Sequence, residues 1–134
     1  MSDVAAVILA AGIGRRLGRG PKAFISYNGA TLLDHAAWML RTAGVHRVCA
    51  VLPPPPDPAP LPTDILTARN PSADSGPLAS VLLGVAELWR LGDFERLVVH
   101  HVDHPHVELE DLEAILQRST EDLPGASRVV PSWE

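Results

Sequence analysis

Four cations, Arg15, Arg16, Arg19 and Lys22, fall within eight residues and are interleaved with Gly12, Gly14, Gly18 and Gly20. Arginine offers a fixed fork of N–H donors and lysine a point charge, and both match phosphate oxygens. Glycines let the backbone approach a ligand closely, and successive N–H groups form an anion-binding nest. The chemistry such a loop supports is capture of a phosphate chain. The dinucleotide fingerprint sets its third glycine three residues after the second, whereas Gly14 and Gly18 are four apart. The Walker pattern needs Gly-Lys-Ser/Thr, and Lys22 stands between Pro21 and Ala23. Neither fits. The bland alternative is a surface loop whose cations only solvate it.

A second group of reactive types lies at Val98-Val99-His100-His101-Val102-Asp103-His104-Pro105. A carboxylate at the carboxyl end of a strand suits Mg²⁺, a hard cation that takes oxygen ligands and substrate phosphates. The competing reading of Asp103 is a turn aspartate. His100, His101, His104 and His106 imitate a transition-metal cluster, but strand alternation sends His100 and His101 to opposite faces, so only a subset can converge. A third group is Asn70-Pro71-Ser72-Ala73-Asp74-Ser75-Gly76-Pro77-Leu78-Ala79-Ser80, turn chemistry running into a helix with Pro77 near its first position.

Elements must position these groups. Val4 to Ala10 is a continuous apolar run, the mark of a strand buried on both faces of a parallel sheet. Thr31 caps a helix that runs to about Ala43, with Leu32, Ala36, Leu40 and Ala43 on one stripe and Gly44 as the stop. Arg47 to Leu52 reads as a second buried strand, and Asp64 to Thr67 as a short third. Seven prolines between Pro53 and Pro62 predict a stiff surface loop rather than a domain linker. Leu78, Val81, Leu82, Val85, Leu88 and Trp89 are spaced as the buried face of a second helix. Arg96 to Val99 forms the strand leading to Asp103. Leu109, Leu112, Ile115 and Leu116 mark a last helix, and Arg128 to Val130 opens a further strand. The order predicts a layered α/β domain with a mostly parallel sheet, whose ligands collect at the carboxyl ends of the strands.

Bulk properties narrow the partners. The 134 residues suit one domain, and the 46% hydrophobic and 20% charged fractions are ordinary for a globular protein. A net charge of −5 argues against wrapping duplex nucleic acid, yet a few local cations suffice for one triphosphate. The single cysteine, Cys49, sits in the apolar run Val48 to Leu52, so no internal disulfide and no cysteine zinc site is available. No segment approaches the roughly 20 apolar residues of a membrane span, and Met1-Ser2-Asp3 lacks the basic start of a signal peptide. A cytoplasmic location is expected.

Leu9-Ala10-Ala11-Gly12-x-Gly14-x-Arg16-x-Gly18, followed by Pro21-Lys22, resembles the signature of the MobA/MocA-like nucleotidyltransferases, the group of the molybdenum-cofactor cytidylyl- and guanylyltransferases. The resemblance implies a Rossmann-like three-layer fold of the nucleotide-diphospho-sugar transferase (GT-A) type. It also implies Mg²⁺-dependent transfer of a nucleoside monophosphate from a nucleoside triphosphate to a small phosphorylated acceptor, with release of pyrophosphate. By the match, Leu9, Ala10, Ala11, Gly12 and Gly14 line the nucleotide, Arg16 and Lys22 neutralise its phosphates, and Asp103 is the metal ligand. Asn70, Gly76 and Ser80 fall on the family's Asn-Pro…Gly…Ser segment beside the nucleotide. The Ala10-Ala11-Gly12 form is closer to the cytidylyl type, so CTP is the expected donor. Members of the family continue past the equivalent of Glu134 into a segment with a second acidic ligand and much of the acceptor pocket. The chain is therefore read as one nucleoside-triphosphate transferase domain, residues 1–134, shortened at its C-terminus. Two alternatives remain: a nucleotide-binding or regulatory module without turnover, and a sugar-phosphate nucleotidyltransferase.

Overall fold

The computed structural model describes residues 4–11, 22–27, 29–71 and 76–102. Strand β1 (Val4–Leu9) is the apolar run expected of it and lies inside the sheet. Its neighbours are β4 (Arg47–Leu52) on one side and β6 (Arg96–His101) on the other, both parallel to it. Strand β5 (Leu66–Arg69) pairs with the far side of β4, giving a four-stranded parallel sheet in the order β5-β4-β1-β6. A mostly parallel sheet with flanking helices is the predicted fold class. A small antiparallel hairpin, β2 (Ser26–Tyr27) with β3 (Ala30–Thr31), stands apart from it and turns through Gly29 at φ 87°. The sequence alone does not announce this hairpin.

Alternate residues of β1 face opposite layers, so each layer has its own core. Ala6 and Ile8 join Val48, Ala50, Leu52 and Val98 under helix α1 (Leu32–Thr42). Ala5 and Val7 join Cys49, Val51, Leu97 and Val99 on the side of helix α2 (Pro77–Trp89). Both α1 ends are set locally. The Thr31 hydroxyl accepts from the Asp34 N–H at 3.0 Å while the Asp34 carboxylate accepts from the Thr31 N–H, a reciprocal capping box. Gly44, at φ 100°, closes the other end: its N–H donates to Arg41 O and that of Val45 to Leu40 O, the Schellman pattern.

Two expectations need correction. The third strand begins at Leu66 rather than Asp64 and reaches Arg69. Its register against β4, Cys49 with Leu66 through Leu52 with Arg69, sets those limits. Leu78, Leu82 and Trp89, expected in the core, are 53%, 55% and 59% exposed. The buried face of α2 is instead Ser80, Val81, Gly84, Val85 and Leu88. A Cβ on Gly84 would lie 2.8 Å from a Val7 methyl, so the helix seats on its small residues and turns three large ones outward. The predicted helix around 109–116 and the strand at 128–130 lie outside the described residues.

The proline-rich stretch bears out its reading as a surface loop. It links β4 to β5 without a helix, and Leu61 and Ile65 pack against the α1-side core. Arg69 anchors it with a two-armed contact to the Asp57 carboxylate at 2.7 and 2.9 Å and a third bond to Pro53 O. An ion pair between Arg41 and Asp64 ties the same loop to the end of α1.

Candidate functional site

The carboxyl edge of the sheet is extended one residue past three strands by main-chain bonds. Ala10 donates to Val51 O at 2.9 Å, Asn70 to Leu52 O at 2.8 Å, and Val102 to Leu9 O at 3.2 Å. These bonds bring Leu9, Ala10, Ala11 and Asn70 to one edge, with Val102 beside the end of β1. Ala10, Ala11 and Asn70 are buried and Leu9 half-buried. Asn70 follows β5 directly, and its Nδ2 donates to Ser80 Oγ at 2.9 Å across the start of α2. That bond brings the first turn of α2 to the same edge. Gly76 precedes the helix at φ 89°, a conformation that favours glycine, and gives it no side-chain cap, while Pro77 opens it.

Lys22 begins a 3-10 turn, Lys22–Phe24. Its neighbour Ala23 is fully buried in the α1-side core, which fixes the height at which the chain leaves the loop. The Leu32 N–H donates to Ile25 O at 3.0 Å, coupling this stretch to the start of α1. Gly12, Gly14, Arg16 and Asp103 lie outside the described residues. So do Arg15, Gly18, Arg19, His104 and His106.

His100 and His101 end β6, paired across to Ile8 and Leu9. His100 is buried and His101 half-buried, and they emerge on opposite faces as strand alternation requires. Among the described residues no group of three or more His, Cys, Asp or Glu side chains is placed to hold a metal. Cys49 is buried on the α2 side, where desolvation, assisted by the charge of Glu87, pushes its thiol up to about 12. A thiol held protonated in this way is no nucleophile. No helix among the described residues is long and apolar enough to cross a membrane.

The contact that sequence reasoning misses is the Asn70–Ser80 pair, since each residue, taken singly, reads as facing the nucleotide. The usable signal is a small polar residue four positions before Gly84, on the helix face that approaches the sheet.

Comparison with known proteins agrees with this frame. A stretch of 49 residues is 53% identical to the nicotine blue oxidoreductase of Paenarthrobacter nicotinovorans, covering 37% of this chain and 24% of that protein. A stretch of 56 residues is 46% identical to the 2-C-methyl-D-erythritol 4-phosphate cytidylyltransferase of Thermus thermophilus, covering 42% of this chain and 25% of that one. The solved structure of a 2-C-methyl-D-erythritol 4-phosphate cytidylyltransferase from the same species superposes with a TM-score of 0.62 at 25% identity. It matches 90% of this chain, which spans 51% of that structure. The family model described as the MobA-like NTP transferase domain matches residues 6–134, and the chain belongs to that family.

Proposed function

We propose that the protein is a nucleotidyltransferase, passing a nucleoside monophosphate from a nucleoside triphosphate to a phosphorylated acceptor. The observation that carries this reading is the shared sheet edge: the end of β1 before the cationic loop, the residue after β5 and the first turn of α2. In the proposed reaction an acceptor oxygen attacks the α-phosphorus, the bond to the bridging oxygen breaks, and pyrophosphate leaves with that electron pair. Leu9, Ala10, Ala11, Gly12 and Gly14 would line the nucleotide, with Gly76 and the turn of α2 that Asn70 and Ser80 hold beside it. Arg16 and Lys22 would neutralise phosphate charge as it develops, so catalysis is positioning plus electrostatics. Asp103 would hold Mg²⁺. The fit is that Val102, immediately before it, is bonded to the end of β1 from which the cationic loop departs, and that a carboxylate is the oxygen donor Mg²⁺ prefers. When bound, the ion supplies charge screening of the triphosphate. CTP is the favoured donor, supported by the match to a cytidylyltransferase whose named substrate is a phosphate ester.

The 53% identical stretch favours one second reading, an oxidoreductase. The four-residue interval between Gly14 and Gly18 speaks against a dinucleotide fingerprint. The deciding experiment incubates the protein with each of four nucleoside triphosphates, Mg²⁺ and phosphorylated acceptors, and measures pyrophosphate. A parallel arm follows oxidation of a reduced nicotinamide cofactor. Pyrophosphate release that is greatest with CTP is expected. Triphosphate binding without release would instead mark a binding module. Lys22→Ala should weaken triphosphate binding by roughly 1–3 kcal/mol, as for a lost charge-assisted contact. Asp103→Asn should abolish the response of that binding to Mg²⁺; an unchanged response would move the metal site elsewhere.

A further inference from the structure

We infer that Asn70 is a positioning residue: it holds Ser80, and with it the first turn of α2, and acts on a bound nucleotide through that turn. The inference rests on the nucleotide-binding reading above and revises the direct contact expected of Asn70. Its main-chain N–H is committed to Leu52 O at 2.8 Å and its Nδ2 to Ser80 Oγ at 2.9 Å. Asn70 is 4% exposed and Ser80 5%, so the pair is packed inside the edge rather than presented on it. The tie adds to what the helix start supplies: Gly76 offers no side chain to cap it, and Pro77 presets only its own φ. The Asn70–Ser80 bond joins the end of β5 to that turn directly, side chain to side chain.

The bond also has a polarity. An amide NH₂ can only donate, so Ser80 Oγ accepts and its own O–H is directed away from Asn70. Asn70 thus sets both where the turn sits and which way the Ser80 hydroxyl donates.

A double-mutant cycle separates this from direct contact, using whichever of CTP, GTP, ATP or UTP binds tightest by calorimetry with Mg²⁺. Asn70→Ala should raise the nucleotide Kd about three- to tenfold, the scale of one lost buried hydrogen bond. In a Ser80→Ala background the same change should have a much smaller effect on Kd, because the route through Ser80 is already gone. Asn70→Leu removes the donor without burying a charge, and it should raise Kd about as much as Asn70→Ala. The loss of that effect in the Ser80→Ala background, read in Kd on folded protein, is what a purely structural role would not give. Should the alanine variant not fold, Asn70→Leu with and without Ser80→Ala carries the same comparison. Kd effects that multiply in the double variant would overturn the inference and make Asn70 a ligand contact. Failure of the wild-type protein to bind any of the four triphosphates would overturn the nucleotide reading itself and this inference with it.

Discussion

Replacing Gly84 by alanine sets two effects of opposite sign against each other. Within a helix alanine is favoured over glycine by roughly 0.8–1 kcal/mol. Against that, the new methyl would stand 2.8 and 2.9 Å from the two γ-carbons of Val7 and 3.2 Å from a γ-carbon of Val51. Both valines are fully buried on the adjacent strands β1 and β4. Neither yields cheaply, because a β-branched side chain is stiff at χ1 and turning Val7 still leaves one methyl facing the new group. The helix must lift instead, and overpacking of this kind costs about 1–3 kcal/mol. Taken together these leave the clash ahead, with a net loss of roughly 0–2 kcal/mol. For a domain of this size that lowers Tm by up to roughly 10 °C. Circular-dichroism melts measure it, with Ala86→Gly as a control at an exposed position of the same helix. There only propensity changes, and the expected loss is about 1 kcal/mol. Lifting α2 also carries Ser80, one turn before Gly84, away from Asn70, so nucleotide affinity should fall with stability. A Gly84→Ala protein melting above wild type would refute the reasoning, showing that the sheet yields to the methyl and propensity prevails.

Other consequences follow from the same geometry. The hydrogen bonds from Arg69 hold the Asp57 carboxyl below its ordinary range. Its contribution to stability is therefore present above the unfolded carboxylate pKa of about 3.9 and lost as pH falls through the lower folded value. Asp57→Asn should cost up to about 1 kcal/mol at pH 7, since the pair is two-armed but partly exposed, and the Tm gap to wild type should close progressively as pH falls below about 3.9. A gap independent of pH would show that the carboxylate charge contributes nothing. Cys49, with its thiol near 12 and buried, should resist alkylation at pH 8 in the native protein and react only as fast as the domain opens. Rapid labelling without loss of structure would contradict its packing.

Much of the fold was legible because parallel strands buried on both faces must be apolar without alternation, and Val4 to Leu9 and Arg47 to Leu52 announce themselves in that way. Thr31 and Gly44 mark α1 with equal clarity, since a capping box and a left-handed stop each need particular residue types. The hairpin of Ser26–Tyr27 with Ala30–Thr31 left little trace, two residues a side being too few for any period. On α2 the apolar count misled. Leu78, Leu82 and Trp89 have the spacing of a core face, yet volume rather than hydrophobicity decides which side of a helix can lie against a sheet. Ser80 and Gly84, one turn apart, let the helix approach closely, with Val81, Val85 and Leu88 buried beside them.

The candidate site divides along the same line. Residues at strand ends could be placed from sequence because topology alone carries them to the carboxyl edge. Leu9, Ala10, Ala11 and Asn70 come together for that reason and for no property of their side chains. What a linear reading cannot supply is which polar group answers which. Asn70 and Ser80 each look like a hand extended to a ligand until the 2.9 Å bond between them is seen. Buried polar groups must find partners, and in a small domain the nearest partner is often another residue of the same edge. Under the proposed function, Asn70 and Ser80 form an inner pair that holds the turn, and the groups that would meet the ligand stand outside it. A residue's type gives its chemistry, but only its partner tells whether it holds the turn or meets the ligand.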